Sequence, residues 1–448
     1  MSVRRALLAH ALFVLVILMT ASSPGPLSPL KADATRTGAP PPDCPLVSPP
    51  VDIQVDPKDN RSPAVAYNPI HGEWLVVWST KQGASTQDIW ATRLDYEGRV
   101  LQAFNVATGA GVERSWPTVA FSPTQQQYLL VYTLGVVPGN SDIYATRINW
   151  NGAWMSKEIP IRVWPDQQIY PRVTYNSVDD EYLVVYTNLW AGGQNDVDAQ
   201  RVRASDGHLK SWTNVHTGLD GHRVLAGVAY NHDRNEYLIA YDFRGTSAQP
   251  QPRQIRGKVA TASMAGLSSA PEIQLCCNPQ AAPEQWGASV AAGPDEYLVT
   301  FVNATGTVFG PIYGRRISLT GQPLGPDTGF PLTQNLPQPY GGGYVAFAGD
   351  GYLATWSAYK KSGPIDHNVF GCKVLAGQDG TAGDDFVIAD EAHWQSATGL
   401  ACTPHGDCLL VYEDLSDTSG SNARIRGRFV SPCPRLYLPL LTRSTRTP

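Results

Sequence analysis

The sequence has little charge, and no segment of it shows a sustained helical period. Charged residues make up 16% of the 448 residues, and the formal net charge is -5 without any run of basic residues. Such a chain offers a phosphate backbone nothing to hold, so we expect no nucleic-acid partner. Catalytic signatures are also missing: there is no GxSxG elbow, HExxH helix, Walker loop or dinucleotide fingerprint in its required context. The nine histidines include no i, i+4 pair.

Long apolar runs are missing too, apart from one at the N-terminus. Ala6 to Met19 follows Arg4 and Arg5 and precedes an Ala32-Asp33-Ala34 cleavage motif. This pattern predicts a secretory signal peptide over residues 1–34, with an uncleaved anchor as the alternative. The run is shorter than the ~20 residues of a membrane-spanning helix. We therefore expect a secreted or cell-surface protein with no membrane span in the mature chain.

What the sequence does contain is a repeat. One leucine recurs at intervals of 54 to 60 residues, at Leu75, Leu129, Leu183, Leu238, Leu298, Leu353 and Leu409. A period of this length, with several strand-like runs in each unit, is typical of a β-propeller. We therefore predict an all-β chain with one domain over residues 51–433, a flexible lead-in at 35–50 and a tail at 434–448.

Each repeat contains four strand-like runs, called A, B, C and D here. In the first repeat they read PAVAYN, EWLVVW, DIWATRLD and FNVAT. Short turns join A to B and C to D, which indicates antiparallel hairpins and a four-stranded blade. Seven such blades are predicted, near residues 63–108, 117–163, 171–217, 226–275, 287–333, 343–390 and 397–430.

The runs also indicate how the ring closes. Runs A, B and C occur seven times but run D only six. The unmatched strand Val51 to Val55 supplies the missing member if it pairs with residues 424–430 in the last blade. A ring closed in this way leaves no long exposed strand edge. The alternative is that Leu436 to Leu441 forms the seventh D strand.

Positions that are alike in every repeat are assigned to the fold. Run B ends in an aromatic residue that we expect to be buried between blades: Trp78, Tyr132, Tyr186, Tyr241, Phe301, Trp356 and Tyr412. Run C carries a basic residue for which we expect contacts between blades, with B-strand glutamates as candidate partners; an anion-binding ring of cations is the alternative. Asp88, Asp142 and Asp196 open run C and are expected to cap that turn. Calcium there is the alternative, and no other cofactor is expected.

Seven cysteines in an exported chain indicate disulfides. Cys402 and Cys408 occupy sites where other repeats have facing aromatic residues, so a cross-strand disulfide is predicted. Cys44 and Cys433 flank the first and last strands, where a bridge would tie the chain ends together. Cys276, Cys277 and Cys372 are left unassigned. The spacing does not resemble a zinc finger, so no metal is expected.

Residues that differ between repeats are the candidates for function. The loops from B to C share no sequence, and aromatic residues cluster near them: Trp116, Tyr170, Trp190, Trp286, Tyr340 and Trp394. Aromatic side chains at the mouth of a channel suit a polysaccharide or an extended peptide; the alternative is that they wedge blades apart. We therefore expect a monomeric module that binds a polysaccharide or a surface protein. A glycan-cleaving enzyme with loop carboxylates and a structural spacer are the alternatives.

The repeats VAYNP..GEWLVVW, VAFSP..QQYLLVY and VTYNS..DEYLVVY, followed by DIWATRL, DIYATRI or DVDAQRV, resemble those of secreted bacterial β-propeller proteins, which are mostly uncharacterised. The resemblance covers about residues 51 to 430 and is strongest in the first four repeats. It implies an exported propeller of about seven blades. It carries over no catalytic residue, because a fold does not supply a function.

Overall fold

The structure is a computed structural model that describes most of the chain after residue 44. The described residues are 45–56, 58–83, 86–137, 139–190, 194–216, 220–246, 248, 251–276, 284–304, 310–333, 343–359, 367–377, 382–392, 394–415 and 422–432. All of them belong to one compact unit, Asp43–Pro448. The signal peptide, most of the lead-in, the tail, Cys44, Cys277, Tyr340 and Cys433 lie outside the described residues.

The described chain forms thirty β-strands and one short 3₁₀ helix, Leu267–Ser269. The strands before and within the first three repeats are β1 (Leu46–Val47), β2 (Val51–Gln54), β3 (Asn60–Asn68), β4 (Glu73–Gly83), β5 (Thr86–Leu94), β6 (Val100–Ala107), β7 (Glu113–Ser122), β8 (Gln127–Val137), β9 (Asn140–Asn149), β10 (Ile159–Arg162), β11 (Gln167–Asn176), β12 (Glu181–Leu189), β13 (Asn195–Arg203) and β14 (Leu209–Asn214). The later strands are β15 (Gly221–Asn231), β16 (Glu236–Gly245), β17 (Gln254–Thr261), β18 (Ile273–Gln274), β19 (Glu284–Ala292), β20 (Glu296–Ala304), β21 (Ile312–Ser318), β22 (Pro323–Leu324), β23 (Phe330–Pro331), β24 (Tyr344–Phe347), β25 (Gly351–Tyr359), β26 (His367–Leu375), β27 (Phe386–Ala389), β28 (Trp394–Cys402), β29 (Cys408–Leu415) and β30 (Ala423–Ser431). No helix of the described residues is long and apolar enough to cross a membrane.

The strands pair in chain order within each repeat, as the A to D pattern predicts. Sheets of four antiparallel strands follow one another along the chain, which is the arrangement of a β-propeller. The prediction that every sheet has four strands is wrong in some of the repeats. A single parallel pair, Gln87 with Glu113, joins β3–β6 to β7–β10 in one eight-stranded sheet. The fifth repeat places both β22 and β23 against β21.

The first strands of the described chain pair with its last one. β2 runs antiparallel to β30, with Val51 opposite Gly427 and Asp52 opposite Arg426. The Arg426 guanidinium binds the Asp52 carboxylate at 2.8 Å. β1 pairs with the same strand farther along. The predicted N-terminal pairing is therefore present, and the alternative strand at 436–441 lies outside the described residues.

The core is divided into clusters that each join two neighbouring repeats. Six clusters link consecutive repeats, from the first to the seventh. A further cluster packs Trp74 and Trp78 of the first repeat against Leu409 and Val411 of the last. The seven aromatic residues that end run B have no solvent exposure. Their assignment to the core is confirmed.

One hairpin uses a disulfide where others use aromatic contact. Cys402 and Cys408 are directly opposite on β28 and β29 and form a disulfide, as predicted. The equivalent pair in the first repeat is Tyr67 and Trp74, with ring centroids 4.6 Å apart. Cys276 is also disulfide-bonded, and Cys372 is a free, buried thiol.

Three of the basic residues of run C, Arg93, Arg201 and Arg316, bind a carboxylate of strand B in their own sheet. Arg93 lies 2.7 Å from Glu73, and Arg201 lies 2.6 Å from Glu181. B and C are neighbouring strands, so the partners are adjacent. The predicted links between repeats are present as well. Arg93 donates to the Asn151 oxygen of the second repeat, and Arg428 binds Glu391, in the connection from the sixth repeat, at 2.6 Å.

The strand directions define two edges of the sheets. The loops from B to C and the connections from D to A lie on one edge, called the B–C edge here, while the A–B and C–D turns lie on the other. The A strands of neighbouring repeats contact one another, and β28 contacts β3 in the same way. The B–C edge, at the starts of the A strands, is where the ligand site was predicted.

Candidate functional site

Each A strand of the first five repeats carries a β-bulge with a left-handed residue. The residues are Ser62, Trp116, Tyr170, Leu225 and Gly287, with φ between 49° and 74°. Four of them are not glycine, and a left-handed conformation costs such a residue about 1–2 kcal/mol. The backbone conformation therefore repeats, but the side chain that it presents does not.

A side chain from the preceding repeat holds several of these bulges. It comes from the residue after the buried aromatic of strand B and accepts a hydrogen bond from the bulge N–H, as Thr187 does from Leu225 at 3.1 Å. Asp242 accepts from Gly287 at 2.9 Å, and Glu413 accepts from Ser62 at 2.7 Å. The position is a hydroxyl or a carboxylate in six of seven repeats, with Val302 as the exception: Ser79, Thr133, Thr187, Asp242, Val302, Ser357 and Glu413. Two of the hydroxyls act differently, since Ser79 donates to the Arg61 carbonyl and Thr133 has no hydrogen-bond partner among the described residues.

Two of the predicted ligand residues meet at this position. Trp116 and Tyr170 occupy the bulges of β7 and β11, and their ring centroids are 4.6 Å apart. The Trp116 side chain is 37% exposed, although it belongs to the innermost strand of its sheet. Ser62 and Gly287 show that the bulge forms without an aromatic side chain. The fold alone does not require this aromatic pair.

The other predicted aromatics occupy different positions. Trp394 lies at the start of β28 and packs edge-on against His367 of the sixth repeat, with centroids 4.1 Å apart. It fits the wedge alternative. Trp190 directly follows β12 and is half-buried in the loop to β13. Trp286 precedes the bulge residue Gly287. The Arg253 guanidinium lies over the Trp286 ring, with its carbon 5.9 Å from the ring centroid. Tyr340 is outside the described residues.

A cavity of about 310 Å³ opens on the B–C edge beside Arg253. Its lining residues come from the third and fourth repeats: Asn195, His222, Val224, Asp242, Phe243, Arg244 and Arg253. In the hairpin of β15 and β16, His222 is opposite Arg244 and Val224 is opposite Asp242. Opposite residues and those two positions apart share one face of a sheet. Four lining residues are thus placed together by strand register.

Asp242 is the buried carboxylate of this cavity. It receives hydrogen bonds from the Gly287 and Ala288 N–H groups and an ion pair from Arg253 at 3.1 Å. Burial raises its pKa to about 6, although Arg253 and the two N–H groups oppose the rise. The carboxylate therefore serves both the bulge of the next repeat and the position of Arg253.

Arg244 and His222 provide the free donors. Arg244 is exposed and has no ion pair or hydrogen bond among the described residues. His222 accepts at Nδ1 from the Asn195 N–H at 3.2 Å. The neutral imidazole must then carry its proton on Nε2, which makes that nitrogen a donor. The cavity combines two arginines and one neutralised carboxylate, within a chain whose net charge is -5.

The ion pairs behind Phe243 belong to the fold. Arg223 binds Glu272 at 2.8 Å, and the Tyr241 hydroxyl donates to the same carboxylate. Burial acts to raise the pKa of Glu272, but Arg223 and the other donors outweigh it and lower that pKa to about 2. The second repeat contains the same arrangement in Arg114, Glu158 and Tyr132. Because it recurs, we assign this network to stability rather than to a ligand.

The aspartates that open run C cap a different segment from the one predicted. Asp88 accepts from the Gly109 N–H at 3.3 Å and Asp142 from the Trp164 N–H at 3.1 Å. Both donors lie in the D-to-A connection rather than in the turn that the aspartates open. Burial raises the pKa of Asp196 to about 6. The described residues contain no group of three or more His, Cys, Asp or Glu side chains placed to hold a metal ion.

Sequence reasoning missed four residues that line the cavity: His222, Asp242, Arg244 and Arg253. They are more than thirty positions apart at the extremes, and only strand register brings them together. One signal was available. Asp242 is a carboxylate at a position that holds a hydroxyl in four other repeats, so its residue type departs from the repeat pattern.

No family model and no curated protein matches this sequence. Among solved structures, a protein of unknown function from Dyadobacter fermentans has a TM-score of 0.52 at 12% identity, covering 86% of this chain and 99% of its own. The β-propeller domain of the Trilobed protease from Pyrococcus furiosus, described as having an open velcro topology, gives 0.47 at 8% identity, covering 83% and 95%. A Hadza microbial sialidase gives 0.44 at 11% identity, covering 80% and 76%. At such identities the likeness concerns the fold alone.

Proposed function

We propose that the chain is a closed, seven-bladed β-propeller that is exported and binds a polysaccharide on its B–C edge. Closure is supported by the way the last repeat meets the first. Glu413 binds the Ser62 bulge as Asp242 binds the Gly287 bulge. The cluster around Trp78 and Leu409 likewise repeats the packing found between consecutive repeats.

Export is supported by the disulfide chemistry and by the N-terminal sequence. Disulfides persist in oxidising compartments, and Cys402–Cys408 is one of them. The Arg4-Arg5 and Ala6 to Met19 pattern is typical of a secretory signal peptide. We infer a mature chain that acts outside the cell or at its surface as a monomer, without a cofactor.

The observation that carries the binding function is the Trp116–Tyr170 pair. The Trp116 side chain is exposed, and Tyr170 beside it is half-buried. Aromatic faces on the innermost strands suit the apolar faces of sugar rings, and the bulge does not need aromatic side chains. The cavity, between the third and fourth repeats, and Trp286, in the fifth, follow on the same edge. An extended chain of sugars fits such a row of sites better than a single small molecule does.

Two other functions receive less support. Glycoside cleavage needs a pair of carboxyl groups at a suitable separation, whereas the described cavity is lined by one, Asp242, which is already held by Arg253. A spacer needs no concavity on this edge, whereas the cavity occupies it. A protein ligand stays as the alternative to a polysaccharide, since aromatic residues also bind extended peptides.

The test is a glycan array probed with the wild-type protein and with Trp116→Ala/Tyr170→Ala. We expect binding to a subset of polysaccharides and at least a tenfold loss in the double variant, equivalent to about 1.4 kcal/mol. Trp154→Ala is the matched control, because Trp154 is 56% exposed but follows strand C of its repeat at the opposite edge. An array without signal, or binding that the double variant retains, would rule out the polysaccharide.

A further inference from the structure

We propose that the cavity beside Arg244 binds the carboxylate of an acidic sugar, so that the ligand of the B–C edge is a uronate-containing polysaccharide. This inference rests on the proposed binding function and names its ligand class. It depends on three features of the cavity: its charge, the direction of its donors, and its size.

The charge of the cavity is opposite to that of the chain. Arg253 is paired with Asp242 at 3.1 Å, which neutralises both groups. Arg244 has no such partner among the described residues, although the chain as a whole has an excess of acidic residues. Asp220, the acid just before β15, is engaged by Arg223 at 3.0 Å. An exposed and unpaired guanidinium at a cavity wall favours an anion.

The donors of the cavity converge from neighbouring strands. His222 and Arg244 are opposite one another in register, so their side chains leave the sheet on the same face. The Nδ1 of His222 is occupied by the Asn195 N–H, which leaves Nε2 to donate. A carboxylate accepts hydrogen bonds in pairs from a guanidinium and takes a further one from a neighbouring donor.

The size of the cavity fits one sugar unit. Small-ligand pockets span about 300–1,000 Å³, and about 310 Å³ lies at the lower limit. Val224, on the same face as His222, contributes apolar surface, and Trp286 lies beyond Arg253. Apolar surface next to convergent donors suits a charged pyranose ring better than free phosphate, for which an apolar wall contributes little.

The probes are polygalacturonate and alginate, each compared with its carboxyl-reduced form, and dextran sulfate as an unrelated polyanion. We expect the acidic polymers to bind about tenfold more tightly than the reduced ones, as one charge-assisted hydrogen-bonded contact predicts. Arg244→Gln should remove this preference, and Arg244→Lys should restore only part of it. Arg203→Gln is the control, because Arg203 is 48% exposed at the C–D turn on the other edge.

The outcomes separate the two proposals. Equal binding of acidic and reduced polymers that still depends on Trp116 overturns the acidic-sugar inference and leaves the polysaccharide function in place. Dextran sulfate binding as tightly as polygalacturonate also overturns it, because the site would then respond to charge alone. Failure of all these polymers to bind overturns the acidic-sugar inference, while the glycan array alone decides the polysaccharide function. Thermal melting of each variant shows whether it is folded, and Arg244 is exposed enough that its replacement should not alter the melting temperature.

Discussion

The interior between repeats and the B–C edge differ in how closely they follow the repeat. Every repeat places a fully buried aromatic residue at the end of strand B. At the bulge one strand away, the first five repeats present serine, tryptophan, tyrosine, leucine and glycine on one backbone conformation. The residue type is therefore constant where packing determines it, whereas it varies where the side chain faces solvent and can contact a ligand. The predictions that follow test this division, in order of decreasing effect.

The largest effect is expected for Trp78→Ala in the interior. Trp78 is fully buried between the first and last repeats, and its Nε1 donates to Asn60 and Thr80. Truncating a buried tryptophan costs about 3–5 kcal/mol of unfolding free energy. Trp116→Ala, on the edge, should cost less than about 1 kcal/mol. Urea denaturation of both variants measures the contrast, and equal losses would contradict the division.

A second contrast concerns buried and exposed carboxyl groups. Asp198 has no solvent exposure, and burial raises its pKa to about 6, against the opposing effects of Arg162 and its hydrogen-bond partners. Its stabilising contribution is complete below an unfolded pKa of 3.8 and is lost as the pH rises through about 6. The loss amounts to about 3 kcal/mol for a shift of roughly two units.

Asp198→Asn should therefore flatten part of the decline in stability between pH 4 and 7. The flattening is partial because Asp196 and Asp242 also have pKa values raised to about 6. The exposed Asp206 is the control, since Arg203 lowers its pKa to about 2 and its contribution is lost only as the pH falls toward that value. Melting temperatures across this range measure the slope, and an unchanged slope in Asp198→Asn would contradict the assignment.

The disulfide hairpin provides a third test. Cys402 and Cys408 close a loop with a sequence separation of 6, and a loop of this length predicts a contribution of about 2 kcal/mol. Replacing both by alanine should remove it. Introducing the aromatic pair of the first repeat instead, as Cys402→Tyr with Cys408→Trp, should restore about 0.5–1.5 kcal/mol through ring contact. Denaturation with and without reductant measures both changes, and only the wild type should respond to the reductant at this hairpin.

The smallest effect should be a gain. Ser62 adopts φ 53° at the position that Gly287 occupies in the fifth repeat. Ser62→Gly relieves the left-handed strain and should raise the unfolding free energy by up to about 1 kcal/mol, less the entropy that glycine adds to the unfolded chain. The bulge N–H keeps its bond to Glu413. A clear destabilisation in chemical denaturation would mean that the serine side chain itself supports the bulge.

The sequence predicted the interior far better than the edge. Burial of Trp78 and its equivalents follows from a residue type repeated seven times, and the Cys402–Cys408 bridge follows from aromatic pairs at the same register. The contact between Trp116 and Tyr170 depends on the bulge. The left-handed φ of the bulge residue cannot be predicted from residue type, because serine, tryptophan and leucine all occupy this position. The cavity escaped prediction for a related reason, since Arg244 and His222 become neighbours only through the register of β15 and β16.

The pairing of β2 with β30 also constrains how the protein is made. Asp52 and Arg426, which form an ion pair across these strands, are 374 residues apart in the chain. β2 is synthesised before β30, so its backbone donors and acceptors stay without this partner until the residues between them have been made. Asp52 and the polar Gln54 alternate with Val51 and Ile53, and a charge on so short a strand discourages pairing with foreign edges in the interval.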